Sequence, residues 1–228
     1  PPPSSNCAGL ILRELRPRQW TKNLVVLAAF VFALGDRNQA VPWAALFPIL
    51  LAAGVFCVIS SGVYVMNDLA DLAADRAHPV KRLRPLASGA LSLAAGRGLA
   101  AILLLAGAAG ALALGRSFAL VAAAYLALQA LYTGGLKRVP LLDVFVISAG
   151  FVLRAVAGGV VIGVTVSPWL LICTFLMALF LALCKRRHEI RLDAAADGAT
   201  RASLAGTSES LLNQLIAITA TGYRRRRR

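Results

Sequence analysis

Five long apolar runs constrain this chain more than any other feature of its sequence. They cover residues 43–66, 98–114, 117–132, 141–163 and 168–184. Several approach the roughly 20 residues that a helix needs to cross a hydrocarbon core. Backbone polar groups in lipid must be satisfied within the protein, so only helices and closed barrels span it. A barrel would show short segments of alternating polarity, and none appears. The sequence therefore predicts an all-α, polytopic transmembrane helical bundle. A water-soluble helical bundle is the alternative. Run length and number weigh against it, as does an apolar content of 59% with a mean hydropathy of +0.74. The Gly and Ala residues spread through the runs suit close helix packing in lipid.

The punctuation between the runs sets the boundaries. A first, short span is expected at 22–35, lying at an angle, with Asp36 to Gln39 as its turn. Pro42 opens the second span, and Gly115-Arg116-Ser117 joins the third to the fourth. Gly134 to Pro140 links the fourth and fifth, and Gly163 to Pro168 precedes the sixth. A polar segment, 185–208, leads to a seventh apolar stretch at 209–222. Fourteen helical residues rise only about 21 Å, short of a core of about 30 Å. The stretch then meets Arg224–Arg228, whose burial in lipid would be very costly. The expected division is a disordered tail at 1–12, a transmembrane domain at 13–222 that continues in the natural chain, and a polyarginine tail at 223–228 outside the native fold. An interfacial helix with a polybasic end is the other reading.

A net charge of +14 and a pI near 11.0 would suggest nucleic acid in a soluble protein. Here the charge alternates along the chain. Arg13, Arg16, Arg18 and Lys22 precede the first span. Arg76, Lys81, Arg82, Arg84 and Arg97 follow the second, Lys137 and Arg138 the fourth, and Lys185, Arg186, Arg187, Arg191 and Arg201 the sixth. The intervening connections hold only Arg37 and Arg116. This is positive-inside patterning. It predicts a multi-pass protein of the inner (plasma) membrane with a cytoplasmic N-terminus and no nucleic-acid partner. Cys7, Cys57, Cys173 and Cys184 match neither zinc nor disulfide spacing and read as packing residues.

The chemistry concentrates at 67–85. Asp68, Asp71 and Asp75 follow the second run at i, i+3 and i+7, so a continuous helix would stack them on one side. Crowded carboxylates repel one another unless a cation sits among them, and their hard oxygens suit Mg²⁺. Asn67 stands beside them. Arg76, Lys81, Arg82 and Arg84 then offer positive charge to an anion. Metal and arginines together point to a pyrophosphate-bearing substrate. In the fifth run, Arg154 lies eleven residues after Asp143, on the same side about 16 Å away. It is expected to line the cavity, or to form an ion pair between helices. Arg13 to Lys22 with Trp20 reads as an interfacial anchor, and His78 as a hydrogen-bonding rather than a proton-carrying residue.

These motifs resemble the UbiA superfamily of intramembrane prenyltransferases. The likeness rests on Asn67-Asp68-x-x-Asp71-x-x-x-Asp75 and on Arg84-Pro85-x-x-Ser88-Gly89. Arg16 to Asn23, His78-Pro79-x-Lys81, Tyr132 with Lys137 and Asp143, Phe151-x-x-Arg154 and Cys184-Lys185-Arg186-Arg187-x-Glu189 are similar to its decaprenyl-phosphate phosphoribosyltransferase branch. The resemblance covers roughly 13–222 and implies about nine spans in a full-length member. It implies transfer of 5-phosphoribose from phosphoribosyl pyrophosphate to a polyprenyl phosphate, with the product feeding cell-wall arabinan. It also implies Mg²⁺ on Asn67, Asp68, Asp71 and Asp75, the three aspartates being catalytic. The implied substrate contacts are Lys22, Lys81, Arg84, Tyr132, Lys137, Asp143, Arg154, Lys185, Arg186 and Glu189. Aromatic prenyltransferases of the superfamily carry a second acidic motif where this chain reads Lys185 to Asp193, a strongly basic segment. That departure favours a donor and an acceptor that both bear phosphate. An aromatic prenyltransferase is the first rival and a non-catalytic transporter the second. Homo-oligomerisation is left open.

Overall fold

The computed structural model describes residues 7–139, 141–195 and 209–224. Every element described is helical, as the apolar runs require. Residues 1–6 of the disordered tail expected at 1–12, and most of the polyarginine end, lie outside the described residues, whereas residues 7–12 are helical rather than disordered.

Helix α1, Cys7–Leu15, ends where Arg16 adopts a left-handed backbone conformation, φ 53°. Pro17, which needs no amide partner at a helix start, then opens an eleven-residue 3-10 helix, Pro17–Leu27. This geometry seldom runs beyond 3–4 residues. Helix α2, Ala28–Leu34, continues it. A 3-10 helix rises about 2.0 Å per residue against 1.5 Å in an α-helix, so Pro17–Leu34 covers about 32 Å. The first span expected at 22–35 is thus part of a longer helical segment that begins five residues earlier, and this segment is not among the helices long and apolar enough to cross a membrane.

Helices α3 (Leu46–Ala70), α5 (Leu93–Ala113), α6 (Arg116–Gly134), α7 (Leu142–Ile162) and α8 (Pro168–Ala195) follow, with the short α4 (Leu72–Ala77) after α3. Among the described residues, five helices are long and apolar enough to cross a membrane. They correspond to the five runs. Helix α9, Glu209–Arg224, packs on α8. Leu105, Leu112 and Leu120 on α5 and α6 are about two-thirds exposed, as lipid-facing side chains are. All four cysteines are free.

The centre of the bundle is aromatic. Phe56 of α3 meets Phe118 and Tyr125 of α6 edge to face, with centroids 5.8 and 5.4 Å apart. Val26, Phe30, Ile49 and Ile59 pack around them. Helices α3 and α5 approach over small residues, and a Cβ at Gly107 would stand 2.5 Å from Ile59 Cγ1. Helix α7 meets the first segment more tightly still. A Cβ at Gly158 would lie 1.9 Å from the Val26 carbonyl oxygen. Alternating chain direction gathers Arg16 to Lys22, the C-terminal ends of α3 and α6, the N-terminal end of α7 and the basic half of α8 at one end of the bundle.

Candidate functional site

The three aspartates do not share one continuous helical face. Helix α3 stops at Ala70, and Asp71 takes φ −96°, ψ 13° before α4 begins. The hydrogen bonds from Asp71 N to Asn67 O and from Asp75 N to Asp71 O persist, at 2.9 and 2.8 Å. The junction turns the central carboxylate away from its neighbours. Asp71 binds Lys137 Nζ at 2.5 Å, from the 3-10 turn Leu136–Arg138 after α6. Asp68 and Asp75 instead share one nitrogen. Arg84 Nη1 donates to Asp68 Oδ1 at 2.9 Å and to Asp75 Oδ2 at 2.5 Å. Arg16 Nη2 also donates to both oxygens of Asp68, the Oδ1 contact being 2.6 Å. Asn67 Oδ1 accepts from Thr133 Oγ1 on α6.

The loop that carries Arg84 is itself held. Arg76 Nε donates to Ala87 O at 3.2 Å, and Leu86 is buried. His78 Nδ1 accepts the backbone N–H groups of Val80 and Lys81, at 3.1 and 3.3 Å. His78 therefore acts as the cap of the turn that presents Lys81, in line with its expected hydrogen-bonding role. Lys81 is half-buried there.

A second group forms between α7 and α8. Arg186, 7% exposed, reaches both Asp143 at the start of α7 and Glu189 one turn along, the latter at 2.6 Å. Asp143 Oδ1 also accepts the Val144 amide at 2.8 Å. Lys185 lies 3.7 Å from Glu189 and is largely exposed. Tyr132 is half-buried near the end of α6.

Arg154 stands apart from Asp143. It is 4% exposed, and its three acceptors are neutral: Asn23 Oδ1 at 2.8 Å, Gly150 O at 3.0 Å and Tyr125 Oη at 2.9 Å. Its guanidinium lies 4.7 Å from the Tyr125 ring centroid and 5.4 Å from that of Phe151. The ion pair between helices considered from sequence is therefore absent among the described residues, where Arg154 is held by neutral acceptors from the first segment and α6. Asn23 completes the cluster, donating to Ser60 Oγ at 3.1 Å and to Cys57 Sγ at 3.3 Å. The adjacent Lys22 feels the positive charges of Lys185, Arg154 and Arg16.

Three contributors escaped the sequence reading of the site. Arg16 reads from sequence as part of an anchor, yet from a left-handed backbone its side chain reaches Asp68. Asn23 carries no charge and gave no signal beyond its place in the N-terminal motif. Glu14 is 1% exposed on α1. Burial, and next the charge of Asp68, raise its pKa to about 7. Among the described residues no three His, Cys, Asp or Glu side chains converge as a metal cluster, because Asp71 is turned toward Lys137 and only Asp68 and Asp75 share a cation. A cavity of about 530 Å³ lies at the opposite end, lined by Phe32, Asp36, Gln39, Thr165, Ser167 and Leu170 among others. It holds none of the residues singled out above.

Residues 24–223 match the UbiA prenyltransferase family. A decaprenyl-phosphate phosphoribosyltransferase of Mycolicibacterium smegmatis is 38% identical over 220 residues, covering 96% of this chain and 69% of the relative. A Corynebacterium glutamicum protein of the same name is also 38% identical, with 96% of this chain and 66% of the relative covered. Among solved structures, a UbiA homologue from Archaeoglobus fulgidus bound to GPP and Mg²⁺ aligns with a TM-score of 0.72 at 22% identity. That alignment covers 93% of this chain and 75% of the other.

Proposed function

The chain belongs to the UbiA prenyltransferase family, and from that premise we propose that it transfers 5-phosphoribose from phosphoribosyl pyrophosphate to a polyprenyl phosphate, decaprenyl phosphate by analogy with its named relatives. The observation that carries the reading is the shared cation. A single Arg84 nitrogen bridges Asp68 and Asp75, so both carboxylates already converge on one positive centre. Two carboxylates brought together in this way would suit a divalent ion, and their donors are the hard oxygens that Mg²⁺ prefers. Asp68 and Asp75 would hold the ion, with Asp71 and Asn67 joining from the same turn once Lys137 and Thr133 release them. Held by these residues, Mg²⁺ would supply charge neutralisation for a departing pyrophosphate.

The chain's own residues do the rest. Arg84 and Lys137, displaced from the aspartates, are placed to meet the pyrophosphate oxygens by charge-assisted hydrogen bonds. Lys22, Lys81 and Lys185 line the same end of the bundle and suit the 5-phosphate and the acceptor phosphate. Tyr132 is proposed as a neutral contact on the same rim. Arg186 is fixed by Asp143 and Glu189, which keeps a cation at the foot of α8. A lipid phosphate oxygen attacks C1 of the ribose and forms the new C–O bond. The bond from C1 to pyrophosphate breaks, and the electron pair leaves with pyrophosphate. The nucleophile is anionic near neutral pH, so no general base is needed, in keeping with the capping role of His78.

The alternating charge supports a plasma-membrane enzyme with this end of the bundle in the cytoplasm, supplying a precursor of cell-wall arabinan. The reading is tested by Asp68→Asn and Asp75→Asn in purified protein, with lipid-linked phosphoribose as the readout. Loss of product with an unchanged melting temperature supports it, and retained turnover refutes it.

A further inference from the structure

One carboxylate at this end of the bundle joins none of the ion pairs above. Glu14 is 1% exposed, and its Oε1 is buried without a hydrogen-bond partner. The charges acting on it are Asp68 and Asp75, which repel it, and Arg16 and Arg84, which attract it. A buried, orphaned carboxylate oxygen is costly, and the cost is relieved in a state that brings it a cation.

The aspartates decide which cation that is. Arg16 and Arg84 both neutralise the Asp68–Asp75 pair. A divalent ion on that pair balances the two carboxylates by itself and leaves both guanidiniums without an anion. Arg84 then meets the phosphates that arrive with the metal. Arg16 sits two residues beyond Glu14, across the left-handed turn, and its attraction for Glu14 ranks ahead of that of Arg84. The Tyr64 ring, 5.2 Å from the Arg16 guanidinium, offers a flat face along which the group can swing.

We propose that Glu14 is a positioning residue that receives the Arg16 guanidinium when a metal-bound donor occupies Asp68 and Asp75. The exchange clears Asp68 for the metal and gives the buried Glu14 carboxylate a cationic partner. It rests on the metal-dependent reading above. Glu14 touches no reacting atom, so it sets metal affinity rather than the rate at saturating metal.

The test is Mn²⁺ binding to the purified full chain by electron paramagnetic resonance, for wild type, Glu14→Gln, Glu14→Asp, Arg16→Gln and the Glu14→Gln/Arg16→Gln pair. Glu14→Gln should weaken binding about tenfold, the loss of one charge-assisted hydrogen bond, and raise the half-saturating Mg²⁺ with kcat retained. Glu14→Asp should keep most of the affinity, which separates a lost charge from a disturbed fold. Arg16→Gln should bind more tightly than wild type, and in that background Glu14→Gln should cost less than about twofold. Unchanged binding in Glu14→Gln overturns the exchange. So does an equal loss with and without Arg16, which would make Glu14 a direct influence on the metal. Absence of Mn²⁺ binding in wild type overturns the metal reading itself, and the exchange with it.

Discussion

Replacing Asn23 by Leu removes the side chain that ties the first membrane segment to the buried guanidinium of α7. Asn23 accepts from Arg154 Nε at 2.8 Å and donates to Ser60 Oγ at 3.1 Å. A hydrogen bond to a charged group contributes about 1.5–3 kcal/mol, and a neutral one between membrane helices about 0.6 kcal/mol. Arg154 keeps Gly150, Tyr125 and its aromatic neighbours, so the loss is confined to these contacts. The expected cost is about 2–3 kcal/mol. For a chain of this size that corresponds to a fall of roughly 4–12 °C in melting temperature, measured in detergent by thermal size-exclusion. Asn23→Asp puts a carboxylate against the Arg154 guanidinium and should lose much less, or gain. A shift below about 2 °C for Asn23→Leu, or a larger loss for Asn23→Asp, would refute the claim that this contact holds the segment carrying Arg16 and Lys22.

Asp71→Asn should lower transfer less than Asp68→Asn or Asp75→Asn. We expect about 10²-fold or less against 10³-fold or more, because Asp71 is more exposed and shares no cation with the other two; equal losses would contradict the divided geometry. Burial raises the Glu14 pKa from 4.5 to about 7. Its contribution to stability is therefore full below about pH 4.5 and is lost as pH rises to 7, by up to ~3 kcal/mol; melting curves of Glu14→Gln should lack that slope. Gly158→Ala forces a Cβ against the Val26 carbonyl and should destabilise by at least 1–3 kcal/mol, and an unchanged melting temperature would show that the backbones separate freely.

The membrane helices were legible because lipid leaves a spanning segment few options, and the apolar runs at 43–66 and 141–163 overlap the observed helices α3 and α7 over most of their length. The exception is instructive. No hydrophobic pattern signals that Pro17–Leu27 winds as a 3-10 helix. The segment is instead held by tertiary contacts, Gly158 against Val26 and Trp20 Nε1 donating to Ser61 Oγ at 3.0 Å. At the site, acidic spacing identified Asp68, Asp71 and Asp75 but not their partition between Arg84 and Lys137, which depends on the break at Asp71. Asp143 pairs with Arg186, 43 residues away, and no spacing rule reaches that far. Arg16 reaches Asp68 from a left-handed backbone conformation, and a non-glycine residue in that conformation is not predictable from composition.

The proposed reaction is tested most directly by a donor challenge on the purified chain. Protein with Mg²⁺ and a polyprenyl phosphate is offered labelled phosphoribosyl pyrophosphate in one arm. In the other it receives a labelled prenyl diphosphate with an aromatic acceptor. The account predicts a labelled lipid-linked phosphoribose and free pyrophosphate in the first arm only, abolished by EDTA and by Asp68→Asn. Label in the aromatic product, or no lipid-linked phosphoribose from protein that binds Mn²⁺ normally, would contradict it.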